Sequence, residues 1–294
     1  VVGAAAERIP LVVISGAPKL SERHEKHLLH HTAGDINLQY RVYEKVTAAA
    51  VMLKSAEQAP RQIDETLMTC LRRKRPVYIE IPQDIANQPC RMVEDSLAIT
   101  PLKSDPDTLN EALDETMNLL NRAQNPMVLA GVEIHRFRLR NELRELLDRC
   151  GYHFATSLLG KAVLPENHPA FLGVYAGAVG NENVQREIER ADVLLNLGCL
   201  MTEINLGIWT AQLDTNKMVT VNSDKVRIGH HTYDTISLKE FITGLSKRIA
   251  AGALRRSECP HPSNVLAHNY TCNSSAPITL NRFYQRINHF ISDP

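Results

Sequence analysis

Two histidines stand side by side in Leu28-Leu29-His30-His31-Thr32. Adjacent imidazoles are costly in an apolar core, because each brings a donor and an acceptor that need partners. Each also titrates near neutrality, so the pair can take up and release protons at working pH. His30 and His31 are therefore the candidate catalytic residues. The competing structural reading is a wet pair at the end of a helix. His24, His27 and His31 fall at i, i+3 and i+7, on one helical face, which is a spacing that could hold a metal. No carboxylate or thiolate is spaced to complete tetrahedral coordination, so a solvated face is the better reading and no metal site is expected in this chain.

The elements that position the pair come first in the chain. Residues 9–15 are apolar and β-branched and predict a buried strand, broken by Gly16 and Pro18. A short helix is expected from Lys19 to Leu29, with Ser21 as N-cap and Glu22 and Glu25 in its first turns. The string from Gly3-Ala4-Ala5-Ala6-Glu7 through Ile14-Ser15-Gly16-Ala17-Pro18 to Leu28-Leu29-His30-His31 resembles the thiamine-diphosphate-dependent 2-oxo acid decarboxylases. That family includes the pyruvate, indolepyruvate and phenylpyruvate decarboxylases. The resemblance implies that the histidine pair lines an active site.

Later segments follow in the family's order. Tyr40 to Leu53 mixes apolar and small residues around Val46–Val51. Ala59-Pro60 opens a helix with Ile63, Leu67, Cys70 and Leu71 as its apolar stripe. Arg72-Arg73-Lys74-Arg75 ends it, where cations are favoured, so the run is explained by the helix and is not read as a phosphate site. Pro76-Val77-Tyr78-Ile79-Glu80-Ile81-Pro82 is the next strand, and it resembles the end of the family's aminopyrimidine-binding domain. A proline-bearing stretch then separates it from a helix capped by Asp105 and carrying Leu109, Leu113, Met117 and Leu120.

Strands over 127–132, 153–159, 192–198 and 217–222 alternate with helices over 140–150, 181–191 and 237–249. This alternation predicts a mostly parallel sheet with helices on both faces. Gly160-Lys161 through His168-Pro169, then Gly173-Val174-Tyr175-Ala176-Gly177, resembles the family's central domain. Gly173, Gly177 and Gly180 precede a helix, as in a phosphate loop, but their spacing is not G-x-G-x-x-G, so a structural glycine loop is favoured. Residues 278–288 read as a helix resembling the opening of the diphosphate-binding domain.

The expected fold class is α/β, with two doubly wound parallel-sheet domains. These are a partial aminopyrimidine-binding domain over 1–90 and a Rossmann-like central domain over 105–254. Linkers at 91–104 and 255–277 follow each, and 278–294 begin a third domain. A length of 294 residues fits about two domains at roughly 150 residues each. Formal net charge is zero, which argues against nucleic acid or an acidic membrane surface as partner. No run approaches the ~18 apolar residues of a membrane span, and the first residues lack a signal-peptide pattern. Six cysteines without C-x-x-C spacing fit a reducing, cytoplasmic setting. The sequons at Asn269 and Asn273 are read as chance. The chain starts at Val1 and is expected to be a piece of a longer protein, lacking both ends.

The resemblance implies a carboxy-lyase that uses thiamine diphosphate and Mg2+ to convert a 2-oxo acid to an aldehyde and CO2, as a homodimer or homotetramer. It also implies that the glutamate activating the cofactor would precede Val1. The diphosphate motif G-D-G is absent from the sequence, so the cofactor-binding residues are expected outside this chain and the piece alone is expected to be inactive. Two alternatives remain: a non-catalytic scaffold, and a nucleotide- or flavin-binding protein using the central domain.

Overall fold

The apolar runs become the strands of two sheets, and the parallel pairing follows from the helices that return the chain between them. The computed structural model describes residues 1–24, 29–30, 34–91, 97, 99–249 and 275–292. The first sheet comprises β1 (Val12–Ala17), β2 (Ala49–Met52) and β3 (Val77–Pro82), in the order β1-β3-β2, all parallel. β3 lies in the middle, with Val77, Tyr78 and Ile79 buried, as a strand covered on both faces must be. Helix Ala59–Arg73 packs on it, with Pro60 in its first turn, and stops where Lys74 turns left-handed.

Three readings of this region need correction. The first strand is not buried but lies at the sheet edge with alternate residues exposed, and it does not break at Gly16 but runs from Val12 to Ala17, in register with Pro82, where only Pro18 ends it. The expected helix from Lys19 opens as a 3-10 turn, Ser21–His24. The mixed stretch over 40–53 splits into helix Leu38–Val46 and β2. Thr47 marks the break: its backbone is extended, and its hydroxyl donates to the Tyr43 carbonyl. Alanines 48–50 suit either conformation, so pairing with β3 decides theirs.

The second sheet has seven strands: β4 (Pro126–Ala130), β5 (His153–Ser157), β6 (Phe171–Tyr175), β7 (Val193–Leu197), β8 (Met218–Val221), β9 (Lys225–Ile228) and β10 (His231–Asp234). Their order is β10-β9-β8-β7-β4-β5-β6. β4 to β8 are parallel, and the order reverses between β4 and β7, which is the mark of a doubly wound sheet. Helices Pro106–Leu120, Arg140–Cys150 and Leu238–Arg248 bury their leucines on one face. Helix Glu182–Glu189 covers the other face with Val184 and Ile188. Asp105 caps its helix as expected, accepting from the Thr108 N–H at 2.9 Å.

β6, β9 and β10 were not expected. β6 is short and holds Gly173 at φ +136°, so it reads as loop; the glycine is needed because a Cβ there would meet Val184 at 2.7 Å. β9 and β10 form an antiparallel hairpin around Gly229-His230, with most of β10 exposed, so apolar content does not reveal it. Helix Leu280–Ser292 agrees with the helix expected over 278–288. Most of the 255–277 linker and part of 91–104 lie outside the described residues.

If the chain divides at these two proline-bearing linkers, limited proteolysis will cut first within 90–105 and 250–277. Early cuts inside 125–249, where the strands of the second sheet are buried, would contradict that division.

Candidate active site

The segment carrying the histidines is fixed at both ends by polar contacts to the first sheet. After Pro18, the Leu20 N–H donates to both Asp84 carboxylate oxygens at 3.0 Å. Arg23 is the main anchor. It donates from Nη2 to Glu80 Oε1 and from Nη1 to Asn37 Oδ1, each at 2.7 Å. One guanidinium thus joins the turn before the histidines, the residue preceding helix Leu38–Val46, and the middle of β3. The Arg23 and Glu80 side chains are only 10% and 4% exposed, and stranding either charge would cost on the order of 3–5 kcal/mol.

The network continues inward. The Tyr78 hydroxyl donates to Glu80 Oε2 at 2.7 Å and lies 2.6 Å from Ser15 Oγ. Gln39 Nε2 donates to both hydroxyls at 2.9 Å. The Tyr43 ring stacks on Tyr78 at 4.2 Å. Burial raises the Tyr78 pKa, opposed by the bonds to Ser15 and Gln39 and reinforced by Glu80, so the hydroxyl stays protonated. His30 sits exposed in a turn. His31, and His27 of the possible metal trio, lie outside the described residues. Among the described residues no three His, Cys, Asp or Glu side chains converge as a metal site would require.

A second polar centre lies where the order of the large sheet reverses, the usual ligand crevice of such sheets. Here the chain fills the crevice itself. A Cβ on Gly131 would lie 2.2 Å from the Cys199 Cα, and one on Gly160 would lie 2.6 Å from the Ala130 carbonyl oxygen. Cys199 is buried, its thiol faces the Leu129 carbonyl, and burial pushes its pKa up to about 12, so it is not a nucleophile at neutral pH. Beside it Glu133 is wholly buried. Its Oε2 accepts from Asn222 Nδ2 at 3.0 Å, and its Oε1 faces the Arg8 guanidinium at 3.5 Å. Burial raises its pKa, and Asn222 and Arg8 only partly offset that.

The geometry defines a chain with a doubly wound central domain and a histidine-bearing segment on a separate parallel sheet. Residues 113–244 match the family model described as thiamine pyrophosphate enzyme, central domain. The whole chain is similar to curated 2-oxo acid decarboxylases. A probable pyruvate decarboxylase of Schizosaccharomyces pombe is 32% identical over 252 residues, covering 85% of this chain and 44% of that protein. The indole-3-pyruvate decarboxylase of Azospirillum brasilense is 32% identical over 245 residues, covering 83% and 44%. The pyruvate decarboxylase of Hanseniaspora uvarum is 26% identical over 297 residues, covering 100% and 52%. The chain therefore spans about half the length of the curated relatives it matches. It is a relative of the thiamine-diphosphate-dependent 2-oxo acid decarboxylases, and its central segment is of the thiamine pyrophosphate enzyme type.

Reading the sequence singled out His30 but missed Arg23, Tyr78, Glu80 and Glu133. A signal existed for Glu80, the one charged residue in Val77–Pro82. None existed for Glu133, whose partners Arg8 and Asn222 lie far from it in sequence.

Glu133 makes stability depend on pH. Its folded pKa lies above the unfolded value, so the folded state holds the extra proton. The resulting stability is fully present below the ordinary glutamate range and is lost as pH rises through the raised value. Thermal unfolding followed upward from pH 4 should show wild type losing stability relative to Glu133→Gln. Parallel curves would contradict the buried, raised carboxyl.

Proposed function

We propose that this chain is part of a thiamine-diphosphate- and Mg2+-dependent non-oxidative decarboxylase. It would convert a 2-oxo acid of the indolepyruvate, phenylpyruvate or pyruvate type to an aldehyde and CO2. The supporting observation is the placement of His30 in a segment anchored to the first sheet through Arg23 and Glu80, in a chain whose relatives are decarboxylases. The parent would act as a homodimer or homotetramer in the cytoplasm. The thiols of Cys70, Cys90 and Cys199, outside any disulfide, and the exposed Val12 and Ile14 of β1 agree with a reducing setting and a face available for burial.

When bound, thiamine diphosphate supplies the electron sink that lets CO2 leave a 2-oxo acid. The residues of this chain do not fit its diphosphate and metal. The sequence has no G-D-G, and no set of metal-ligating side chains converges among the described residues. Those groups belong to the rest of the proposed enzyme. What this chain would contribute is proton handling by His30 and His31. A neutral imidazole donates at one nitrogen and accepts at the other, so the pair can hold or pass a proton beside the reacting carbon. The network of Arg23, Asn37, Gln39, Tyr78 and Glu80 fixes the ends of the segment in place. The nucleotide or flavin alternative is less favoured, because glycines that would admit a phosphate at the crevice instead admit Cys199 and Ala130.

Two measurements test this reading. In the full-length enzyme, His30→Gln or His31→Gln should lower kcat by about 10²–10⁴-fold, the usual worth of a general acid or base, with cofactor affinity nearly unchanged. Unchanged turnover in both variants would remove the catalytic assignment, and an effect confined to KM would mean uniform substrate binding. In calorimetric titration, the 294-residue chain should bind thiamine diphosphate with Mg2+ only at millimolar concentration or not at all. Micromolar binding would show that its cofactor site is complete.

A further inference from the structure

We draw no further inference here: the strongest candidate, the exposed apolar patch of Val179, Ile204, Ile208 and Trp209 on the turns that follow β6 and β7, carries nothing because nothing in the structure shows what covers it.

Discussion

A carboxylate removed from water at the end of β4 is the constraint on which the joining of the two sheets rests. Glu133 is wholly buried, and a buried carboxyl must find donors or hold its proton. Its donors come from two places. Asn222 follows β8, so the ends of β4 and β8 are tied together across β7. Arg8 precedes β1, so the first sheet's leading segment is drawn onto the central domain. Arg136 reinforces that docking by donating to the Glu7 carbonyl, while Arg75 holds the same leading segment to the first sheet by donating to the Ala5 carbonyl. The arrangement is polar and incompletely compensated, with Arg8 at 3.5 Å. It therefore specifies how the parts meet more than it stabilises them.

The close approach of backbone at the crevice follows from the same geometry. Glu133 can reach Asn222 only if the turn after β4 lies against the turn after β7. That turn can do so only because Gly131 has no side chain to meet Cys199. A fold that elsewhere leaves this crevice open for ligands has closed it with its own chain. The histidine pair proposed for chemistry lies elsewhere, in the segment that follows β1 of the first sheet. There Arg23 bridges the two ends of the histidine segment to a charged residue in an otherwise apolar strand. Both polar centres follow one design: a buried carboxylate in or beside a parallel strand, answered by an arginine from another segment.

Much of this was legible in the sequence. Long apolar runs in β4, β5, β7 and β8 announce strands because both faces of the sheet are covered and most positions are apolar, with His153, Thr156, Asn196 and Thr220 as buried polar exceptions. Asp105 and Pro60 announce helix starts because capping is local chemistry. β6 was hidden because one glycine serves packing against Val184, and packing is not visible to a window along the chain. β9 and β10 were hidden because an antiparallel edge needs only half its residues buried. The histidine pair was legible as residue type and spacing. Its anchors were not, because Arg23, Asn37 and Glu80 are brought together only by the order β1-β3-β2.

Charge shows the same limit at a larger scale. Thirty-three basic and thirty-three acidic residues cancel over the chain, and this neutrality argues against a basic stripe for nucleic acid. It says nothing about how charge is distributed after folding. Arg72–Arg75 has a sufficient local explanation as a helix end, and a one-dimensional reading stops there. Folding then brings Arg8, Lys103 and Arg138 to the same cavity from segments up to 130 residues apart, with few acids among them. A cation that ends a helix can satisfy that helix alone. A group of them turned toward one open pocket, three at positive φ, is a feature that only the folded chain shows.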